Sequence, residues 1–306
     1  MASQRDIKDR ISSVKNIRKI TRAMEMVAAA RLRKAEQRIE VLRPYADALR
    51  RMTRRATQAT QSIPDLPLLQ EHDSTDKVGL LLLTGDRGLA GSFNSQIIRA
   101  GNRRMQEIRE EDAAQVVFYA VGRRGASSVE FRGLTLADSF TGFTDRPSYA
   151  DAREVADSVI TAYVDGELDR VEMFYNGYIS PMSQEVRHET LLPLQQADVL
   201  GDEEDEEDGG GEDSDSPDHS RALWIYEPDP EEILRRLAPD YVEISIYRAM
   251  LESTASEHGA RMTAMRSASD NAAELIDDLT LEANRQRQAD ITQEIMEVVA
   301  GAEGLR

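Results

Sequence analysis

Residues 84–92 form the stretch of this sequence whose spacing most suggests phosphate chemistry. The stretch TGDRGLAGS follows a predicted strand and opens a predicted helix, a context in which glycine-rich loops hold phosphate groups. A P-loop ends in Gly-Lys-Ser or Gly-Lys-Thr, however, and Gly91-Ser92 has no lysine. The glycines also stand three residues apart, which is not the dinucleotide-binding spacing. We therefore favour a structural or interface loop over a nucleotide site.

Groups that could carry catalysis or bind metal are sparse elsewhere in the chain. There is no cysteine, which excludes disulfides, zinc–thiolate sites and thiol switches, and the four histidines are scattered. The acid pair Asp277-Asp278 lies on a predicted helix surface with no histidine or nucleophile near it in sequence. The sequence predicts no catalytic residue, no cofactor and no metal site.

Charge is distributed unevenly along the chain. The net charge is −18, yet residues 1–60 carry an excess of roughly ten positive charges. Clustered arginine and lysine can bind nucleic acid, but Tyr45 is the one aromatic residue in this segment, and the segment also needs its apolar stripe for packing. The interpretation we favour is a solvated or acid-facing protein interface, with no nucleic-acid partner.

A heptad stripe predicts one long N-terminal helix from Asp6 to about Thr60. Arg18 and Glu25 interrupt the stripe, so its partner must tolerate polar layers. Pro44 lacks an amide donor and predicts a kink or a joint. The residues that recur every seven positions are Ile7, Val14, Thr21, Ala28, Ala35 and Leu42, with Ile11, Leu32 and Ile39 in the companion positions.

A second long helical pattern runs from Glu231 to about Gly301. Two long helices that bracket a compact unit pack economically as an antiparallel pair, because each covers the other's narrow seam. Its stripe opens with Val242, Ile246 and Ala249 and continues through small residues at Ser253, Ser256, Ala260, Ala264, Ala268 and Ala272. Leu275, Leu279, Ile291, Ile295, Val298 and Val299 are expected to close it.

The middle of the chain alternates between strand and helix patterns, which is typical of a Rossmann-like βαβ domain. Strands are predicted at 77–84, 115–121, 171–175 and 185–192, and helices at 92–110, near Arg123 and at 149–163. Residues 201–220 are acidic and rich in Gly and Ser, which predicts a disordered loop, followed by a short strand at 222–227.

The predicted fold is therefore α/β with long helices. An N-terminal coiled-coil helix at 1–62 pairs with a C-terminal coiled-coil helix at 228–306, and a Rossmann-like α/β foot domain at 75–227 lies between them. No stretch reaches the 18 apolar residues that a membrane span requires, and the N-terminus lacks a signal-peptide core. We expect any membrane contact to be peripheral.

Short motifs at both ends and in the middle occur in one order over nearly the whole chain. They are IKDRI at 7–11, SVKNI at 13–17, KITRAMEMVA at 19–28, RPY at 43–45, DRGL at 86–89, LLPL at 191–194, YEPD at 226–229, SEHGARM at 256–262, ASDNA at 268–272 and NRQRQADITQEI at 284–295. In these motifs the sequence resembles the gamma subunit of F-type ATP synthases.

The resemblance implies a function that periodicity alone does not give. A protein of this family is a central rotor stalk without a catalytic site of its own, standing inside a ring of alpha and beta subunits. Its foot rests on the epsilon subunit and on the membrane ring of c subunits. The resemblance also implies a peripheral location at the cytoplasmic face of the inner membrane, as part of the complex.

The resemblance further implies contact residues. Arg287, Gln288 and Thr292 correspond to residues that contact the catch loop of a beta subunit. Met24, with the basic residues Arg10, Arg33 and Lys34, corresponds to a surface that faces the acidic levers of beta. Tyr226 and Glu227 correspond to the side near the c ring and epsilon.

Two other classes of function stay open on the sequence alone. One is a free-standing coiled-coil scaffold, which would be a stable single chain or homodimer with no associated ATPase activity. The other is a nucleotide-dependent enzyme that uses the loop at 85–91.

Overall fold

The computed structural model describes residues 4–59, 66–72, 75–111, 114–194 and 230–304. Its elements in chain order are α1 (Gln4–Ala59), β1 (Lys77–Leu83), α2 (Phe93–Glu111), β2 (Gln115–Val121), α3 (Arg123–Phe131), β3 (Leu136–Phe140), α4 (Tyr149–Val164), β4 (Arg170–Ser180), β5 (Ser183–Leu192) and α5 (Pro230–Gly304). The predicted class, a Rossmann-like domain between two long helices, is confirmed.

The five strands form one sheet in the order β3-β2-β1-β4-β5. The first four are parallel, and β5 returns antiparallel to β4. β1 is buried along its length after Lys77, as expected for a central parallel strand with both faces covered. Successive side chains alternate between faces, so Leu80 and Leu82 pack with α2, while Leu81 and Leu83 pack with α4 and α5.

α1 and α5 pack as the predicted antiparallel coil. Glu25 lies opposite Arg266, and Leu32 and Ala35 pack against Ala255. The heptad prediction for α1 is confirmed by burial: Ile7, Thr21, Ala28, Leu32 and Ala35 are buried, and Ile11, Val14, Ile39 and Leu42 are half-buried.

The predicted seam of α5 is only partly correct. Ala272, Ile276 and Leu279 are buried, but the end of the stripe is exposed. Because the helices are antiparallel and Glu25 meets Arg266, the start of α1 is reached near Arg287 and α5 continues beyond it. No other described residue of the chain covers the last turns of α5. The exposed residues of these last turns are Ile291, Ile295 and Val298. Leu275, within the paired part, is also exposed, because its neighbour Ile276 takes the buried position there.

Other differences from the sequence-based expectations are local. β3 was not predicted, because its three central residues are exposed and two of them, Asp138 and Ser139, are polar, so it lacks the apolar pattern of a buried strand. α1 runs through Pro44 without a break, so the proline does not separate two helices. The acidic stretch 201–220 and the strand predicted at 222–227 lie outside the described residues. The three domain limits stay predictions.

We expect Ala28→Leu to destabilise the protein by about 1–3 kcal/mol, because Ala28 is 1% exposed in a seam built from small side chains. A larger side chain there must push α1 away from α5. Ala30→Leu is the matched control, since Ala30 is exposed on the same helix. Urea unfolding of both variants tests the seam, and equal midpoints would show that the helices do not meet at Ala28.

Candidate functional site: the junction of coil and sheet

The carboxyl edge of the parallel strands is where open α/β sheets bind ligands, at the point where the strand order reverses. Here that crevice lies beside the end of β1, which has β2 on one side and β4 on the other. α5 fills it. Thr254 Oγ1 donates to Thr144 O at 2.9 Å, and Ser253 Oγ donates to Leu83 O at 3.4 Å. The space that remains is about 10 Å³, which holds no more than a single water molecule.

The glycine-rich loop after β1 is organised by Asp86. Its carboxylate accepts hydrogen bonds from Arg123 N at 3.1 Å, Gly142 N at 2.9 Å and Thr144 Oγ1 at 3.0 Å. A phosphate-binding loop would offer such N–H donors to a ligand. In this protein two of the loop's own N–H groups are already taken by side chains, because Gly85 N donates to Asn94 Oδ1 at 2.8 Å and Asp86 N donates to Thr144 Oγ1 at 2.9 Å. The loop therefore works as a structural platform.

Leu89 adopts a left-handed backbone conformation with φ of 62°, which is uncommon for a residue other than glycine. Its side chain is 63% exposed. The unusual backbone thus presents an apolar side chain to the outside, next to the coil.

A buried ion pair fixes α5 to this loop. Glu257 is 3% exposed, and Arg261 donates hydrogen bonds to its carboxylate and, at 3.2 Å, to Gly88 O. Burial raises the pKa of Glu257 despite Arg261, and Asp145 and Asp86 add to the increase. A methyl group at Gly85 would come within 2.8 Å of the Glu257 carboxylate, so the close approach of helix and loop requires glycine there.

His258 is enclosed at the same junction. Burial lowers its pKa to about 4, so the ring is neutral at physiological pH, although its Nε2 lies 3.9 Å from Asp145 Oδ1. The positive charges of Arg261 and Arg31 lower the pKa of His258 further. The ring packs as a neutral polar group between the coil and the foot.

α1 is connected to the foot by fewer polar contacts than α5. Arg31 forms an ion pair with Asp145, and Tyr178 OH donates to the Glu36 carboxylate. Along the coil, the Arg266 guanidinium lies 2.9 Å from Glu25. Together with the buried pair of α5, these contacts hold shaft and foot as one unit.

A groove opens between α1 and the glycine-rich loop, with a volume of about 540 Å³. Apolar side chains from both elements form its floor, and four arginines stand around it. We call it the Met24 groove. It is lined by Ile20, Ala23, Met24, Val27, Ala28, Arg31, Arg87, Gly88, Leu89, Arg124, His258 and Arg261.

The structure separates the predicted contact residues into two regions. Met24 is half-buried in the groove, whereas Arg33 and Lys34 are exposed further along α1. Arg287, Gln288 and Thr292 are exposed on α5, about 39–47 Å from Arg261 at 1.5 Å per residue. Arg10 is exposed near the same free end. Tyr226 and Glu227 lie outside the described residues.

Three groove residues of the foot were not among the predicted contact residues: Arg124, and Arg87 and Leu89 of the loop that the sequence indicated as a structural or interface loop. The signal for Arg124 was available, because Arg123 and Arg124 follow β2 directly and the carboxyl ends of neighbouring parallel strands meet at one edge. Neither segment alone indicates that Met24 of α1 lies beside this edge of the sheet.

The fold and this junction define a stalk-type protein, in which a two-helix shaft is seated in the crevice of an α/β foot and one end of the shaft is free. None of the described helices combines the length and the apolar character that crossing a bilayer demands.

The comparisons with known proteins identify the family. A family model described as ATP synthase matches residues 3–305. The chain is 43% identical over 305 residues to the ATP synthase gamma chain of Rubrobacter xylanophilus, covering 100% of this chain and 99% of the relative. It is 42% identical over 306 residues to that of Moorella thermoacetica, covering both chains completely. The chain belongs to the gamma-subunit family of the ATP synthases.

Solved structures agree with the fold. A chain of the central stalk and c-ring structure of Tetrahymena thermophila mitochondrial ATP synthase aligns with a TM-score of 0.57 and 25% identity, over 82% of this chain and 99% of that chain. A chain of the Euglena gracilis mitochondrial ATP synthase rotor aligns with a TM-score of 0.63 and 20% identity, over 94% and 98%. At 20% identity, the similarity to the Euglena gracilis structure supports the fold alone.

Proposed function

We propose that this chain is the central rotor shaft of an ATP synthase, coupling ion flow through the c ring to ATP synthesis in the alpha and beta head. The observation that carries the proposal is the free end of α5. Ile291, Ile295 and Val298 recur on one helix face and are 48–72% exposed, so this end needs a surrounding partner to cover it. A ring of alpha and beta subunits would provide that cover.

The mechanism follows from the asymmetry of the shaft. The coil has unequal helices, with basic α1 on one side and the exposed stripe of α5 at the free end. Each beta subunit meets a different face as the shaft turns, and this shifts each beta subunit between conformations in sequence. Because the buried contacts at the junction hold shaft and foot together, rotation of the foot by the c ring turns the coil.

The contact residues have proposed roles in this arrangement. Arg287, Gln288 and Thr292 contact a beta subunit at the free end of the shaft. The Met24 groove receives the acidic lever of beta, with an apolar floor for its helix and arginines for its carboxylates. Arg10, Arg33 and Lys34 extend this basic surface. Tyr226 and Glu227 are assigned to the c-ring and epsilon side by family resemblance.

We also infer that the chain itself is not catalytic and needs no cofactor. Support comes from α5, whose side chains occupy the crevice where an α/β enzyme would bind substrate. Its location would be peripheral, at the cytoplasmic face of the inner membrane, through contact with the rest of the complex. A free-standing scaffold would leave the exposed stripe of α5 without a function.

A rotation assay tests the proposed function directly. The chain has no cysteine, so Ser127→Cys on the exposed face of α3 gives a unique attachment point for a bead on the foot. Assembled with alpha and beta subunits, the labelled protein should turn in one direction when ATP is added. ATP hydrolysis at a normal rate with a stationary bead would rule out the rotor assignment.

We expect the double variant Arg87→Glu/Arg124→Glu to lower ATP turnover of the assembled complex by about tenfold, because like charges then meet in the Met24 groove. Arg103→Glu/Arg109→Glu is the matched control, since it makes the same charge change on the exposed surface of α2. Turnover and binding of alpha and beta are measured for both. Equal turnover in the two variants would mean that no acidic lever enters the groove.

A further inference from the structure

A second cavity lies on the other side of Arg31, and the proposed function assigns no ligand to it. It has a volume of about 770 Å³, within the range of about 300–1,000 Å³ that is typical of small-molecule sites. Its walls come from α1, from the loop before α4 and from α5. We call it the junction cavity. Its lining includes Arg31, Lys34, Arg38, Tyr45, Asp145 and Arg146.

The cavity concentrates positive charge. Arg31, Lys34 and Arg38 follow each other by three and four residues, which places them on one face of α1, and Arg146 stands on the loop wall. One carboxylate lines the cavity, that of Asp145, and it is already paired with Arg31. Within the described part of the chain, Lys34, Arg38 and Arg146 have no carboxylate partner.

This arrangement is unfavourable for folding by itself. Like charges three or four residues apart on a helix destabilise it by a few tenths of a kcal/mol per pair. Arg38 is also half-buried, which adds a desolvation cost. Elsewhere the chain has an excess of acids that could neutralise arginines, since its net charge is −18. An anion between the two walls would remove both costs.

The remaining lining residues indicate what kind of anion fits. Tyr45 and Tyr247 place phenol rings at the cavity, and Val41, Leu42 and Leu251 add an apolar wall. Arginine binds phosphate with two parallel hydrogen bonds, and tyrosine can stack on a planar group while its hydroxyl donates. A multivalent phosphate would bind the arginines and the tyrosine hydroxyls. A planar group attached to it would stack on the tyrosine rings.

We propose that the junction cavity binds a small phosphate-bearing anion, supplied either by a nucleoside polyphosphate or by an inorganic polyphosphate. Binding joins α1 to the loop before α4 at the point where Arg31 and Asp145 already connect them. The bound anion therefore stiffens the attachment of the shaft to the foot. This inference is independent of rotation, and it concerns a place distinct from the glycine-rich loop.

Calorimetric titration of the full-length chain at low salt tests the proposal, with ATP, tripolyphosphate and adenosine as the probes. We expect saturable binding of ATP or tripolyphosphate with a dissociation constant of about 10–100 µM, and no binding of adenosine. Arg38→Gln/Arg146→Gln should weaken binding by at least about tenfold, because two of the phosphate ligands are lost. Arg103→Gln/Arg109→Gln on α2 should leave it unchanged, and thermal melting checks that both variants are folded.

Tyr45→Ala distinguishes a nucleoside polyphosphate from an inorganic polyphosphate as the ligand. Weaker binding of ATP with unchanged binding of tripolyphosphate identifies a nucleotide, whereas unchanged binding of both identifies an inorganic polyphosphate. The proposal fails if neither anion binds, or if the cavity and control variants weaken binding equally. It also fails if Arg38→Gln/Arg146→Gln leaves ATP binding intact, or if an acidic helical peptide binds the cavity more tightly than both phosphates do.

Discussion

Replacing Glu172 by Gln is expected to lower the free energy of unfolding by about 3 kcal/mol, because it removes the buried carboxylate that pairs with Arg104 and Arg170 and contacts His188. Glu172 is 2% exposed. Arg104 donates to it from Nε at 2.9 Å and from Nη2 at 3.0 Å, and His188 Nε2 lies at 2.8 Å. Arg170 forms a further ion pair at 2.9 Å. The carboxylate thus ties α2, β4 and β5 together.

Chemical unfolding of Glu107→Gln provides the matched comparison. Glu107 also contacts Arg104, at 3.4 Å, but its side chain is 44% exposed, so its loss should cost less than about 1 kcal/mol. If Glu172→Gln were no less stable than Glu107→Gln, the buried carboxylate would not be the group that holds these elements together.

The same carboxylate predicts an acid-sensitive step in the wild-type protein. Burial raises the pKa of Glu172, but the hydrogen bonds from His188 and Arg104 outweigh it and lower the pKa to about 2 from an ordinary 4.5. Because the folded-state pKa is the lower one, the stabilisation is present above pH 4.5 and is lost as pH falls towards 2. The stability difference between wild type and Glu172→Gln should shrink over that range, as unfolding curves at stepped pH will measure.

The parts of the fold that could be predicted from sequence are those set by local pattern. The seven-residue spacing from Ile7 to Leu42 depends on α1 alone, and the run of apolar residues in β1 marks a buried strand wherever it packs. β3 was missed for the same reason, because an edge strand with exposed polar residues carries no such pattern. The free end of α5 was misread, because periodicity does not reveal where the partner helix ends.

The junction depends on contacts that periodicity cannot show. The Asp86 carboxylate accepts hydrogen bonds from backbone N–H groups 37 to 58 residues away, and Glu257 reaches the loop from the far end of the chain. The motif at 256–262 was recognised by resemblance, yet its physical reason is the packing of α5 into the crevice. Resemblance identified the residues, and the fold explains why a glutamate and an arginine stand one helical turn apart there.

Replacing Arg261 by Ala is expected to destabilise the protein by about 3–5 kcal/mol, because it leaves Glu257 as a buried charge without its partner. The pKa of Glu257 is already raised by burial, and Asp145 and Asp86 oppose its ionisation further. Without Arg261, which lowers it, the pKa of Glu257 in the folded state rises further. An acid whose pKa is higher in the folded state costs stability at high pH, so the deficit should shrink as pH falls from 7 towards 5.

Two variants distinguish loss of this ion pair from a general effect on α5. Arg266→Ala removes an arginine five residues away that is 55% exposed and pairs with Glu25, so its cost should stay below about 1 kcal/mol. Glu257→Gln combined with Arg261→Ala should recover more than half of the lost stability, because no buried charge remains. A double variant as unstable as Arg261→Ala would mean that the arginine acts through packing and not through its charge.

Arg261→Ala should also weaken the transmission of torque between the shaft and the foot. In the assembled complex, Arg261→Ala removes the contact that anchors α5 to Gly88 of the loop, so torque on the coil reaches the foot less completely. We expect ATP hydrolysis to continue while ATP-driven ion pumping into membrane vesicles falls to less than about half that of Arg266→Ala, because a loosened junction deforms before it turns the foot. Equal pumping per ATP in the two variants would show that the buried ion pair stabilises the fold without transmitting torque.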